Sequence, residues 1–228
     1  MLSFQGWLSF LGTWGPMYLK GTGVTILISL IGVFFGFIVG FILAMLRRSK
    51  VTVIRKITGA YVELIRGTPL VVQVMIACYG LISLIPDQYG FLKNVLVLSV
   101  ITICLNSAAY ISEIFRGGLN SVDKGQGEAA RSLGLTEKQT MREIIFPQAM
   151  RTILPAIGNE FVTLIKESAI VSFVGIQDLM FKARIVSGTT MRYMASYVVA
   201  AAIYFILVFF LSKILAVYER RMNIAHQS

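Results

Sequence analysis

The sequence predicts an all-α integral membrane protein with about five transmembrane helices. Of its 228 residues, 56% are hydrophobic and 14% are charged, whereas charged residues make up roughly 25% of an average soluble domain. The apolar residues form stretches that reach the roughly 20 residues needed to cross a bilayer, and most of the charge lies between them. The five apolar windows are 24–46, 57–86 with interruptions, 91–115, 153–180 and 193–217.

We divide the chain into an N-terminal external or interfacial segment, 1–19, a transmembrane domain, 20–221, and a tail, 222–228. The first segment carries Trp7 and Trp14, which suit a helix lying at the membrane surface. It has neither a basic n-region nor a small-residue cleavage site, so it does not resemble a cleaved signal peptide. We therefore expect it to remain attached.

The basic residues predict the orientation, because short cytoplasmic loops carry an excess of Lys and Arg. The loops after the first and third windows are the most basic, and we expect both in the cytoplasm. Their basic residues are Arg47, Arg48, Lys50, Arg55 and Lys56, then Arg116, Lys124, Arg131, Lys138, Arg142 and Arg151. The loop with Lys182, Arg184 and Arg192 argues against this orientation but is less basic. With five spans, the N-terminus is external and the tail cytoplasmic.

The net charge of +10 fits contact with anionic membrane lipid at the cytoplasmic face, and we expect no nucleic acid partner. Cys78 and Cys104 lie inside apolar windows, and His226 is the only histidine. The usual metal-ligand spacings are therefore missing, and a His-dependent hydrolase is excluded. We predict no catalytic residue, no metal and no cofactor on this chain, and two cysteines that pack as small hydrophobic side chains.

A helix break is predicted in the second window, where Gly67, Thr68 and Pro69 follow Glu63 and Arg66. Proline disfavours helix in the residue before it and cannot complete the backbone ladder. We expect Thr68 to be the N-cap and Pro69 the first residue of a new half-helix, whose free amides suit an anionic substrate group. The alternative is a simple kink in which Glu63 and Arg66 pair.

Lys166, Glu167 and Ser168 place charge near the middle of the fourth window, where charge is costly and points to function. A zwitterionic amino acid needs a cation for its carboxylate and an acceptor for its ammonium group. Lys166 and Glu167 can meet these two needs, and Ser168 adds a hydroxyl. The alternative is a self-neutralising pair that stabilises helix packing. Further candidates are Glu160, Gln73 and Asn106, although the two amides can equally tie helices together.

Small residues recur every four positions in the first window, at Gly32, Gly36, Gly40 and Ala44. This spacing puts them on one helix face, where another backbone can approach closely. The alternative is that these glycines are scattered, since glycine is frequent in membrane helices.

The most specific pattern lies in the predicted cytoplasmic loop 116–151. Residues 126–133 suit a short helix that Gly134 ends in the left-handed conformation, with Thr136 as the N-cap of a second helix. In this loop, Glu128-Ala129-Ala130, followed by Gly134, Ile144 and Pro147, matches the EAA motif of ABC importer permeases, with Phe146 where leucine is usual. Together with ELIRGTPLVVQ at 63–73 and NEFVTLIKESAIVSFVG at 159–175, the chain resembles the polar amino acid (histidine/glutamine/glutamate/arginine) subfamily of these permeases.

The resemblance covers about 20–221 and implies a type I ABC importer core with a cytoplasmic coupling helix. It implies a second permease subunit, the same or a related chain, and two cytoplasmic ABC ATPase subunits that hold ATP and Mg. It also implies an extracellular or periplasmic amino acid-binding protein and a bacterial cytoplasmic membrane. No phosphate-binding loop occurs in the sequence, which agrees with ATP hydrolysis on another chain. The implied function is import of a polar amino acid by alternating access.

The residues that the resemblance assigns to a substrate cavity are Gly67, Thr68, Pro69, Lys166, Glu167 and Ser168. Those that it assigns to coupling with the ATPase are Glu128, Ala129, Ala130, Arg131, Leu133 and Gly134. An ion-coupled secondary amino acid transporter is the alternative, but it usually needs inverted repeats, and no convincing internal repeat is apparent.

Overall fold

The computed structural model describes residues 3–224, with side chains for 3–220. Throughout these residues the secondary structure is helical, as predicted. The α-helices are α1 (Phe4–Leu46), α2 (Thr52–Arg66), α3 (Leu70–Met75), α4 (Val95–Asn120), α5 (Lys124–Ser132), α6 (Glu137–Gln139), α7 (Phe146–Glu167), α8 (Leu179–Thr190) and α9 (Tyr193–Ile224). Segments of π-helix (Ile76–Gly80, Thr140–Ile145) and 3₁₀-helix (Leu81–Leu84, Asp87–Lys93, Ser168–Val174) lie between them.

Four of the five predicted spans correspond to single helices or to one bent pair. Within residues 3–224, α1, α4 and α9 are long and apolar enough to cross a membrane. Helix α2 and the helical stretch Leu70–Leu84 meet at a bend of 102°, and together they have the length and composition of a broken span or a re-entrant loop. The window 153–180 is not one helix, because α7 ends at Glu167 and a 3₁₀ segment follows until Gly175, whose φ is +87°.

Helix α1 is longer than the sequence predicted. Its 43 residues extend about 64 Å, roughly twice the hydrocarbon thickness of a bilayer. The predicted boundary at residue 20 is not a break in the helix, because Lys20 is exposed and one charge on a helix face leaves the backbone hydrogen bonds intact. Trp7 and Trp14 pack against α8 and α9 as part of this continuous helix.

Three hydrophobic clusters follow one another along α1. The first lies between the N-terminal part of α1, α8 and α9. The central cluster lies between α1, α3, α4 and α7, and the last one lies where α1 and α4 end against α7. Buried members of the three clusters are, in order, Phe10 and Leu179; Val74, Leu164 and Val171; and Phe115 and Ile153. Helix α1 therefore forms the common wall of the whole bundle.

The predicted glycine stripe is confirmed as a packing surface. Gly32, Gly36, Gly40 and Ala44 are all buried on α1, which makes its most extensive contact with α4. A Cβ added at Gly40 would lie 2.8 Å from the carbonyl oxygen of Ala108 on α4. The two backbones therefore approach as closely as the spacing of small residues indicated.

Candidate functional site

The helix break at Gly67, Thr68 and Pro69, here called the proline break, occurs where predicted, but its capping is shifted by one residue. Pro69 is the N-cap and α3 begins at Leu70. The Thr68 hydroxyl donates to the carbonyl of Leu64 at 2.9 Å, so it serves the end of α2 rather than the start of α3. The physical reason is that the last carbonyls of a helix have no partner within that helix.

Gln73 closes the proline break from the other side. Its Nε2 lies 2.8 Å from the carbonyl oxygen of Ile65, another of the last carbonyls of α2. It also lies 3.1 Å from the carbonyl oxygen of Thr68 and 2.9 Å from Thr68 Oγ1. Gln73 therefore holds the first turn of α3 against the end of α2.

Asn106 on α4 joins this network. Its Nδ2 donates to Gln73 Oε1 at 3.0 Å, and the residue is 2% exposed. The next residue on α4, Ser107, donates to Glu160 Oε1 on α7 at 3.3 Å. Three of the predicted candidates, Gln73, Asn106 and Glu160, are thus connected through two adjacent positions of α4.

Lys166, Glu167 and Ser168, here called the lysine–glutamate turn, lie where α7 changes into the 3₁₀ segment. Ser168 is fully buried, and its hydroxyl donates to the carbonyl of Ile165 at 3.0 Å. Lys166 is exposed and Glu167 is half-buried. Among the side chains that the structure describes, no ion pair joins Lys166 to Glu167, so the geometry does not favour the self-neutralising pair.

The proline break and the lysine–glutamate turn are neighbours in space. Helix α3 packs directly against the 3₁₀ segment Ser168–Val174, and both contribute to the central cluster through Val74 and Val171. Farther along, the Tyr79 hydroxyl lies 3.5 Å from the carbonyl oxygen of Phe173. Two interrupted helical stretches that are distant in sequence therefore meet inside the bundle.

Glu113 on α4, which was not predicted as a site residue, accepts hydrogen bonds from Arg47 and Arg116. Arg66 Nη1 also lies 3.5 Å from Glu113 Oε2. Arg66 is thus paired with Glu113. The kink alternative required it to pair with Glu63, which it does not. The available signal was a single acidic residue near the end of the apolar window 91–115, just before a basic loop. Glu113 joins the ends of α1, α2 and α4.

Helix α5 and the turn after it have the predicted form. Asp123 caps α5 by accepting from Gly125 N at 2.7 Å, and Gly134 has a φ of +88°. The amide of Leu135 donates to the carbonyl of Ala130 at 3.1 Å, which completes a Schellman motif. Thr136 then caps α6 with a capping box.

The two faces of α5 differ in exposure. Ala130 is 5% exposed, and this face packs against the π-helical segment Thr140–Ile145. Glu128, Ala129 and Arg131 are exposed on the rest of the helix surface, and Leu133 at its end is 82% exposed. A large exposed apolar side chain beside charged groups is typical of a surface that contacts a partner.

Metal ligation finds no support in the part of the chain that the structure describes. Over residues 3–224, His, Cys, Asp and Glu form no group of three that could hold a metal ion. Cys78 is buried and Cys104 is partly buried, and the Cys78 Sγ lies 3.3 Å from Ser99 Oγ. His226 lies outside the described residues.

The fold and these sites define a class of protein. A bundle of apolar helices that contains two interrupted stretches and presents a short exposed helix is typical of the membrane subunit of a transport system. The family model described as "Binding-protein-dependent transport system inner membrane component" matches residues 32–224. The chain belongs to this family.

Individual relatives agree. The arginine transport system permease protein ArtQ of Bacillus subtilis is 39% identical over 208 residues, which cover 91% of this chain and 93% of ArtQ. A protein of Rickettsia typhi whose name assigns it to a glutamine transport system is 41% identical over 204 residues, covering 90% of this chain and 92% of that protein.

Solved structures show the same fold. A chain in a crystal structure of an amino acid ABC transporter with histidines superposes with a TM-score of 0.88 at 40% identity, covering 97% of this chain and 99% of that one. A chain of the methionine ABC transporter MetNI gives a TM-score of 0.72 at 20% identity, covering 90% and 95%. The predicted type I permease fold is confirmed. The chain is a transport permease subunit and not an enzyme, and it acts with an ATPase and a binding protein.

Proposed function

We propose that this chain is the membrane subunit of an ATP-driven importer that carries a polar amino acid across a bacterial cytoplasmic membrane. The names of the similar proteins, which refer to arginine, glutamine and histidine, support this substrate class. The observation that carries the proposal is the contact between α3, which follows the proline break, and the 3₁₀ segment that contains the end of the lysine–glutamate turn. Substrate sites of transporters are commonly built where interrupted helices meet.

The residues around this meeting point offer both kinds of charge that a zwitterion needs. Lys166 supplies a cation for the substrate carboxylate, and Glu167 and Glu160 supply acceptors for its ammonium group. Gly67, Thr68 and Pro69 form the adjoining wall. Ser168 contributes by ending α7, because its hydroxyl is bonded to the carbonyl of Ile165.

The working assembly contains two permease subunits, this chain with a copy or a related chain, two cytoplasmic ATPase subunits that hold ATP and Mg, and an external binding protein. The N-terminus is external and the C-terminus cytoplasmic. Two features at one end of the bundle support this orientation: α5 follows α4 directly, and the arginines around Glu113 lie at the ends of α1, α2 and α4. A basic membrane face is expected to be cytoplasmic.

The exposed face of α5, with Glu128, Ala129, Arg131 and Leu133, docks on the ATPase. Ala130 and Gly134 fix its shape, Ala130 by packing inward and Gly134 by ending the helix. Closure of the ATPase dimer moves α5, and because α5 packs on the segment that leads into α7, the movement reaches the lysine–glutamate turn. The substrate site is then open to one side of the membrane at a time.

The test is uptake into vesicles that contain the permease with its ATPase and its binding protein. We expect ATP-dependent uptake of radiolabelled arginine, glutamine, glutamate or histidine, and none when the ATPase is omitted. Lys166→Ala and Glu167→Ala should lower uptake while the ATPase stays bound, whereas Lys20→Ala, an exposed control on α1, should not.

Glu128→Lys and Gly134→Asp should uncouple the ATPase, so that ATP hydrolysis no longer drives uptake. Unchanged uptake in all four site variants would contradict the assignments of both regions. Uptake driven by a proton or sodium gradient without the ATPase would instead support a secondary transporter.

A further inference from the structure

We propose that Gln73 is a positioning residue that fixes which way the Asn106 amide faces, so that Asn106 presents its side-chain oxygen to the substrate as a hydrogen-bond acceptor. Asn106 then recognises an N–H group of the substrate, such as the α-ammonium, and does not donate to its carboxylate. This inference rests on the proposed function. It adds that the Asn106 side of the site accepts hydrogen bonds from the substrate and does not donate them.

The surroundings of Gln73 determine which way its side-chain amide faces. Two backbone carbonyl oxygens, those of Ile65 and Thr68, lie 2.8 and 3.1 Å from the end of its side chain. Carbonyl oxygens only accept hydrogen bonds, so the atom that faces them must be the amide nitrogen. The reversed amide would place three oxygen atoms together without a hydrogen between them.

The Thr68 hydroxyl strengthens this assignment. Its single hydrogen is directed at the carbonyl oxygen of Leu64 at 2.9 Å. Toward Gln73 it can therefore only accept, and Gln73 Nε2 lies 2.9 Å away. The two carbonyl oxygens accept from the two hydrogens of Gln73 Nε2, the Thr68 hydroxyl oxygen is compatible with this, and the orientation of the Gln73 amide is fixed.

The fixed orientation of the Gln73 amide also fixes that of the Asn106 amide. With Nε2 facing the three oxygens, Gln73 Oε1 must face Asn106, where it accepts from Nδ2 at 3.0 Å. A reversed Asn106 would bring two acceptor oxygens together. The oxygen of Asn106, Oδ1, must consequently point away from Gln73.

Asn106 Oδ1 is left without a hydrogen-bond donor from the described part of the protein. Within residues 3–220 it receives no hydrogen bond, yet it is not among the fully enclosed polar atoms that lack a partner. It therefore borders space that a small molecule or water can enter. Asn106 lies between Gln73, next to the proline break, and Ser107, which binds Glu160. The Asn106 amide oxygen is an acceptor, as the nitrogen end of an amino acid requires, and Glu160, bound to the next residue of α4, is a second acceptor close to it along the chain.

The experiment compares Gln73→Met in two backgrounds, native Asn106 and Asn106→Asp. Both oxygens of an aspartate accept, so Gln73 is not needed to orient it. One of them instead lies against the acceptor Gln73 Oε1, a repulsion that Gln73→Met removes. The probes are radiolabelled arginine and glutamine, bound at equilibrium to the purified permease–ATPase complex without the binding protein. Melting temperature is measured on the same samples, because it reports the role of Gln73 in joining α2 to α3.

We expect Asn106→Leu, which has a similar size and no acceptor, to weaken binding about 10-fold or more, as for loss of a hydrogen bond to a charged group. Asn106→Asp keeps an acceptor for the substrate and should bind more tightly than Asn106→Leu, although repulsion from Gln73 Oε1 lowers its affinity below that of the native residue. Gln73→Met should weaken binding several-fold beside Asn106 but not in the Asn106→Asp background. It should lower the melting temperature beside Asn106 and lower it less beside Asp, where it also relieves the repulsion. Such non-additivity is the signature of two residues acting through one interaction.

Three results would overturn the inference: equal weakening by Gln73→Met in both backgrounds, binding by Asn106→Leu as tight as by Asn106→Asp, or no binding of either probe by the unmodified complex. The first would make Gln73 purely structural, and the second would remove the acceptor role of Asn106. ATP-dependent uptake in vesicles is decided separately, so the proposed function can stand when this inference fails.

Discussion

A methyl group added at Gly40 should destabilise the protein, whereas the same methyl at Gly23 should not. Both glycines lie on α1. At Gly23 an added Cβ has no neighbouring atom within 4 Å. At Gly40 it would lie 2.8 Å from the carbonyl oxygen of Ala108 and from two side-chain carbons of Ile111. The two substitutions therefore form a matched pair on one helix.

The expected magnitude follows from two opposing terms. Replacing glycine by alanine inside a helix is favourable by about 1 kcal/mol, and this gain is common to both variants. Ordinary contact begins at 3.4 Å, so α1 and α4 must separate by about 0.6 Å at Gly40. Overpacking of this kind costs about 1 to 3 kcal/mol. The difference between the two variants should equal this cost, because the common gain cancels.

Thermal unfolding of the detergent-purified complex measures this difference. For a chain of this length, about 1 to 3 kcal/mol corresponds to a difference of about 2 to 12 °C in melting temperature. Gly36→Ala should also melt below Gly23→Ala, because its added Cβ would lie 2.8 Å from the Ser107 hydroxyl oxygen and 2.9 Å from Ser107 Cβ, which cannot rotate away. Equal melting temperatures for Gly23→Ala and Gly40→Ala would refute the close approach of the two helices.

Three further substitutions test other parts of the structure. Glu113→Gln should lower the free energy of unfolding by about 1 to 2 kcal/mol, measured by thermal unfolding. Three arginines lose their carboxylate partner, and solvent screens part of this loss. Arg116→Ala removes only one exposed partner and should have a smaller effect. Leu133→Asp should leave the melting temperature unchanged, since Leu133 is 82% exposed, but should reduce the stimulation of ATP hydrolysis by the loaded binding protein; full stimulation would remove Leu133 from the docking face. Asp178→Ala should cost about 0.5 to 2 kcal/mol, because Asp178 caps α8 by accepting from Phe181 N at 2.8 Å. Asp178→Asn, which keeps a capping oxygen, should unfold at a higher temperature than Asp178→Ala, and the reverse order would argue against capping.

Features with local causes could be predicted from the sequence. The proline break follows from the covalent geometry of Pro69, and the end of α5 follows from the freedom of Gly134 to adopt a positive φ. The glycine stripe on α1 follows from helical periodicity alone. In each case the residues that decide the structure lie within a few turns of each other.

Features that depend on tertiary contacts could not be predicted. Arg66 lies one turn from Glu63, yet it pairs with Glu113, because α2 turns its end toward α4. The hydrogen bond between Gln73 and Asn106 joins residues 33 positions apart, and only the packing of α3 on α4 brings them together. The roles of both amides as candidates were anticipated, but their mutual contact was not.

The unbroken course of α1 constrains how the bundle can change shape. A single rod touches all three clusters, so it can tilt or slide but cannot fold in the middle without losing its contact with α4. Pro16 interrupts the backbone hydrogen bonds of α1, so this constraint holds for the part from Tyr18, which packs against α8 and α9, to Arg47. Spectroscopic labels at the two ends of this part should therefore keep a constant separation throughout the transport cycle, while labels on either side of the proline break need not.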